Sequence, residues 1–171
     1  GSGYTLLTSE HIPYFSPSHH DFLLQILSIG KQIMVPLRST SSDEVKNIFF
    51  RTISHHDEHN KTRLLPDMGG WSDNDRSLRA FGFPYLIHDF SHIVLCEGMA
   101  DYFAAECLLE DNEKYLPLGA ANADALVKWA QCFAANKYAG FVHIVYQLDR
   151  DMHGNLSQSS VGPKKALQCL G

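Results

Sequence analysis

Apolar and polar positions change rhythm about halfway along the chain. In HDFLLQILSIGKQ (20–32) apolar residues recur at helical spacing and give way at Gly30, a residue suited to ending a helix. QIMVPL (32–37) and VKNIFFRTI (45–53) read as two strands of a hairpin, joined by the polar turn RSTSSDE. HHDEHNKT (55–62) is a polar loop, and LLPDMGGWSDND (64–75) carries Pro, Gly and Asp as turn residues. The first half therefore predicts a small, mixed, mostly antiparallel unit.

After Pro84 the segments lengthen and alternate. SHIVLCE (91–97) is a continuous apolar run, followed by the helix-like MADYFAAECLLE (99–110) and a short strand-like KYLPLG (114–119). ADALVKWAQCFAA (123–135) has an amphipathic helical pattern, GFVHIVYQLD (140–149) reads as a long apolar strand, and PKKALQCL (163–170) as a closing helix. Strand, helix, strand, helix, strand, helix implies a parallel sheet with right-handed crossovers and helices on both faces. The fold class expected is α/β: a Rossmann-like parallel-sheet unit over 91–171, preceded by a small mixed α+β unit over 1–90. Ligands in such sheets collect at the carboxyl ends of the strands.

Two acids fall at those ends, and each has a second acid close by. Glu97 closes the first strand of the parallel unit, and Asp101 lies one helical turn on. The last strand runs into LDRDMHG, where Asp149 and Asp151 are two residues apart and so face one side of an extended segment. Either pair alone is weak, since loop acids are usually solvated and an acid in a first helical turn often only complements the helix dipole. Together, in this order, they specify more. Four carboxylates converging on one rim would repel one another without a cation, and hard oxygen donors with open positions suit Mg²⁺ or Mn²⁺, which bind substrate phosphates.

Composition narrows the setting. At 171 residues with a net charge of −5, the chain is of one-domain size, or two units sharing a core, and not basic overall. Nucleic-acid binding would therefore need a local basic patch. No apolar run approaches the roughly 20 residues of a membrane span, and the N-terminus does not resemble a signal peptide. A cytoplasmic setting is expected. The opening GSGYTLL, without a methionine, has the look of a remnant from expression ahead of a fragment of a longer protein. Cys96, Cys107, Cys132 and Cys169 form no CxxC pair and sit in apolar surroundings, which reads as reduced, buried thiols.

CEGMAD, then LPLGAAN, then YQLDRDMHG resembles the Toprim domain of DNA primases, topoisomerases and related nucleases, over residues 91 to about 170. EGxxD with DxDxxG downstream is most similar to the primase branch. The resemblance implies that Glu97 is the family's glutamate, acting as a general acid/base or as a metal neighbour. It implies that Asp149 and Asp151 are the metal-binding DxD, Asp101 the acid of EGxxD, and Gly119 the glycine after the middle strand. The metal set it implies is Glu97, Asp149 and Asp151, holding Mg²⁺ or Mn²⁺. His153 stands where a DxDxD member would have a third aspartate, unlike the topoisomerase branch, and NLSQSSV (155–161) lengthens a connection usually tighter in primases.

Upstream, KQIMVPLRSTSSDEVKNIFFRTI resembles the hairpin preceding Toprim in primases of phages, plasmids and other mobile elements. KTRLLPDMGG is similar to their basic segment, which implies nucleotide and template contacts by Lys61 and Arg63, helped by Arg51. Cations there suit a triphosphate and a DNA strand approaching an acidic rim; as surface residues they need have no such role. The activity implied is metal-dependent nucleotidyl transfer that joins ribonucleotides on a single-stranded DNA template. Ribonucleoside triphosphates would be the substrates, with a helicase and a zinc-binding module as partners within a longer chain or in trans. A Toprim nuclease using the same acids, or a Toprim module that only binds DNA, are the alternatives.

Other features are weaker. His55 and His59 have an i, i+4 spacing but no third ligand nearby, and read as loop histidines. His19 and His20 precede the first helix without evident chemistry. Lys164 and Lys165 read as a solvated helix face, and Trp71, Trp129 and the aromatic run HIPYFSP as packing residues. There is no GxxxxGK[ST], so no P-loop.

Overall fold

The computed structural model describes residues 4–53, 62–66, 78–146, 153 and 161–171. The chain divides into two compact units, one formed by 1–37 and 44–71, the other by 38–43 and 72–171. No helix among the described residues is long and apolar enough to cross a membrane.

In the first unit, strand β1 (Thr5–Leu6) pairs antiparallel with β2 (Lys31–Arg38), and β3 (Val45–Ile53) lies between β2 and the antiparallel β4 (Thr62–Leu64). Helix α1 (His20–Ile29) lays Leu23 and Ile26 against Phe50 and Leu65, with Leu7 and Ile12 completing a small core. The helix ends at Gly30 as the pattern predicts, but the cap differs. Gly30 is extended (φ 161°), and it is the buried amide of Gln32 that donates to Ile26 O at 2.8 Å and Gly30 O at 3.1 Å, satisfying carbonyls that a helix end leaves open. Asn47 does the same for the hairpin, exchanging two hydrogen bonds with the backbone of Leu65. Short 3-10 turns over Ser9–Tyr14 and Pro17–His19, and strand β4 inside the basic segment, were not legible from the pattern.

The second unit is the expected α/β layer. Strand β6 (His92–Glu97) is central, flanked in parallel by β7 (Tyr115–Ala120) and β8 (Phe141–Val145). An unforeseen short strand, β5 (Ala80–Gly82), adds antiparallel to β7, so the order here is β5–β7–β6–β8. Helix α2 (Met99–Leu108) packs on β6 and β7. Helix α3 (Ala123–Ala135), N-capped by Asn122 Oδ1 on Ala125 N at 2.8 Å, packs with α4 (Val161–Leu170) on the other face. There Leu126, Trp129 and Phe133 meet Ile93, Leu95, Leu116 and Leu118.

Two expectations are corrected. The strand expected over 140–149 is described as strand only to Val145, and it is not a buried apolar run: Phe141, His143 and Val145 are exposed, while Val142 and Ile144 pack on the α3 side. The cysteines are all free, but Cys107 is exposed beside the exposed Leu108 on the outer face of α2, and only Cys96 is fully buried.

Candidate active site

The connection from β6 to β7 runs one way across the sheet, and the connection from β7 to β8 runs back past β6. This reversal puts α2 and α3 on opposite faces and makes the carboxyl end of β6 a topological switch point, the place where open α/β sheets bind ligands. Glu97 is the last residue of β6, in register with Ala120 of β7, and is half-buried.

Gly98 makes the turn into α2. It is the helix N-cap at φ 92°, ψ 171°, a conformation L-residues rarely adopt, and its N–H donates to Ala120 O at 3.2 Å, tying the turn to β7. A Cβ at Gly98 would meet nothing within 4 Å, so its substitution costs backbone strain alone. Gly98→Ala is expected to destabilise the protein by about 1–3 kcal/mol in urea unfolding; unchanged stability would contradict this turn.

Asp101 lies in the first turn of α2. Its carboxylate acts on Cys96: the thiol is pushed up to about 12, first by burial and then by the negative charge of Asp101. Cys96 therefore stays protonated and is no nucleophile. Strand alternation sets Glu97 on the face of Ile93 and Leu95, under α3, whereas Asp101 rises from α2 on the other face. The two acids thus reach one edge from two sides.

Gly119 lies within β7, not after it as the resemblance implies. Its role is packing: a Cβ there would come within 2.7 Å of both Phe81 Cδ2 and Tyr102 Cβ, so glycine lets α2 lie close on the sheet. Tyr102 in turn hydrogen-bonds Glu106 one turn on.

Asp149 and Asp151 lie outside the described residues. What is described is the approach to them: Val145 pairs with Cys96, so β8 runs beside β6 toward the edge that carries Glu97, and Asp149 is three residues past Tyr146. Three residues span at most about 10 Å.

One cation at this edge was missed by sequence reasoning. Arg79 O accepts from Ala121 N at 3.4 Å, just before β5, which places the Arg79 backbone two strand spacings, about 10 Å, from the end of β6. Leu78 and Ala80 join the core under α3, so Arg79 is on the α2 side with Asp101. The signal was present in SLRAFGF, an arginine alternating with apolar residues.

Arg51 and Arg63, the expected nucleic-acid contacts among the described residues, are turned to opposite faces. Arg63 is opposite Phe50 in the β3–β4 register, and its Nη1 donates to Thr52 Oγ1 at 3.1 Å on the α1 face. Arg51, opposite Thr62, points to the other face. Lys61 lies outside the described residues, as do His55, His59 and Trp71. Lys164 and Lys165 are exposed on α4, and Trp129 is core, as expected. Among the described residues no three His, Cys, Asp or Glu side chains come together as a metal site. Two of the three expected ligands lie outside those residues. The third, Glu97, offers the hard oxygen donor that Mg²⁺ or Mn²⁺ takes.

These features define a primase-like fold. The chain matches the primase fragment of the bacteriophage T7 primase-helicase protein with a TM-score of 0.56 at 14% identity, over 83% of this chain and 51% of that one. It also matches a structure of the bacteriophage T7 lagging-strand DNA polymerase interacting with primase domains bound to an RNA/DNA hybrid and dTTP, with a TM-score of 0.52 at 19% identity, over 83% of this chain and 62% of that one. No family model matches the sequence, and no curated protein does.

Proposed function

We propose that this chain is the Toprim-type catalytic core of a DNA primase-like enzyme, joining ribonucleoside triphosphates into RNA primers on single-stranded DNA. The observation that carries this reading is the primase-like fold, with Glu97 at the end of β6 and Asp101 in the helical turn that follows, and with β8 running parallel beside β6 toward that end ahead of Asp149 and Asp151 in the sequence. Asp149 and Asp151 would hold Mg²⁺ or Mn²⁺, with Glu97 adjacent. Such an ion, when bound, lowers the pKa of the attacking hydroxyl and offsets charge on the leaving pyrophosphate.

In this reaction a primer 3′-hydroxyl attacks the α-phosphorus of the incoming nucleotide, a phosphodiester forms and pyrophosphate leaves. Glu97, a half-buried carboxylate at the strand end, is the group assigned to take the hydroxyl proton. Arg79 on the α2 side supplies positive charge for the triphosphate; Arg51, on the sheet face away from α1, is the first-unit cation proposed to contact template phosphate. The T7 structure that holds primase domains with an RNA/DNA hybrid and a polymerase supports nucleic acid and replication proteins as partners. A helicase and a zinc-binding module, in a longer phage, plasmid or mobile-element protein or in trans, complete the proposal.

The test is primer synthesis on single-stranded DNA with Mn²⁺, comparing the wild type with Asp149→Ala. Labelled primers from the wild type and none from the variant are expected; equal products would remove the mechanism. The same protein incubated with labelled DNA and no nucleotides tests the rival: cleavage would reassign it as a metal-dependent nuclease.

A further inference from the structure

In the first unit a pocket of about 560 Å³ opens between the two 3-10 turns and the β3–β4 hairpin, within the size range of small-molecule sites. None of its residues takes part in the chemistry proposed above. Ile48 and Leu65 give it apolar surface, and Tyr14 and Phe15 give it aromatic surface. Tyr14 is 90% exposed, a ring held out from the core, while the neighbouring Phe15 is fixed by His20 Nε2 on its carbonyl at 2.9 Å and by its own N–H on Ile12 O at 3.0 Å.

The polar groups of the pocket are Ser16, Ser18 and His19. His19 is only 8% exposed, and a polar group so buried has a partner as a rule. Its Nε2 lies 2.8 Å from Pro66 O. A carbonyl oxygen only accepts, so Nε2 carries the hydrogen, and in the neutral ring Nδ1 is left as an acceptor. Among the described residues Nδ1 has no hydrogen-bond partner, and neither has the hydroxyl of Ser16 or Ser18. The pocket thus presents a ring face, an apolar floor, one fixed acceptor and two hydroxyls that can each donate or accept.

We propose that this pocket binds an unpaired nucleobase, stacked on Tyr14, with an N–H of its edge donated to His19 Nδ1. An aliphatic ligand would cover the buried His19 ring without pairing Nδ1, which is costly. No Lys or Arg lines the pocket, so a phosphate is not what it recognises. A Tyr or Trp side chain of a protein partner brings a single polar atom, whereas a base edge brings several donors and acceptors. Stacking on an aromatic side chain tolerates any base, and the adaptable serine hydroxyls suit that tolerance. The base can belong to a free nucleotide or to a single strand.

The two sources are separated by titrating protein isotope-labelled in its Tyr and His rings, without divalent metal, with thymidine and adenosine monophosphates and separately with a short oligo-dT strand. Saturable shifts of the Tyr14 and His19 ring signals are expected. Binding of the mononucleotides identifies a nucleotide site, and binding of the strand alone identifies a single-strand site. Tyr14→Ala, an exposed position where the fold is not at stake, should weaken binding about five- to hundredfold, and Tyr14→Phe should retain it. No saturable shift with any of these probes, or equal affinity in wild type and Tyr14→Ala, overturns the assignment. The readout needs neither metal nor synthesis. A protein that binds this way and makes no primers would keep the pocket while overturning the proposed reaction.

Discussion

Glu97→Gln is expected to lower primer synthesis by at least about hundredfold, the lower end of what a positioned acid–base group contributes, with little change in stability. Glutamine keeps the shape of the side chain at the end of β6 and leaves the backbone register with Ala120 in place. It removes the charge and the ability to accept a full proton. The side chain is half-buried at the end of its strand rather than in the core, so the loss falls on chemistry rather than packing. Primer yield with Mn²⁺, set beside the thermal unfolding curve of the same preparation, checks both halves. Synthesis at the wild-type rate in a folded Glu97→Gln protein would remove this glutamate from the mechanism.

Trp129→Ala acts through the opposite balance. Trp129 is 1% exposed at the centre of the α3 core and lies against Phe133, with ring centroids 5.5 Å apart. Emptying that volume should cost about 3–5 kcal/mol. At about 2–4 °C per kcal/mol for a chain of this size, Tm falls by roughly 6–20 °C. Trp129→Phe should cost much less. It keeps a ring in place and removes an indole Nε1–H that is buried without a partner among the described residues, a group that costs about 1–3 kcal/mol when left unpaired. Scanning calorimetry of the two variants separates cavity from polar effects; equal losses would mean that ring packing is not what holds α3 to the sheet.

The parallel unit was legible because its signals are local and periodic. The apolar runs ending at Glu97 and Gly119 and the amphipathic pattern of 123–135 correspond to β6, β7 and α3. β5 was not legible, since three residues carry no periodicity and their pairing with Leu118–Ala120 is fixed only by the tertiary fold. β8 misled for a related reason. A continuous apolar run reads as buried on both sides, yet Phe141 and Val145 face outward while only the alternate residues reach the core. At the site, the proximity of Asp101 to the strand end followed from helical spacing. Arg79 was hidden because its place on the edge depends on that same antiparallel pairing. The separation of Arg51 and Arg63 could not be read without the hairpin register, which turns neighbours in sequence to opposite faces.

The high proton affinity of Cys96 has a practical outcome for anyone handling this protein. Burial and the neighbouring Asp101 charge keep the thiol there protonated at neutral pH, so peroxide and alkylating reagents should bypass the residue immediately before Glu97. Solvent-accessible Cys107, on the same helix as Asp101, is where they would react first. A fluorophore attached through that sulfur would therefore sit at the far end of the helix that follows Glu97, away from its first turn.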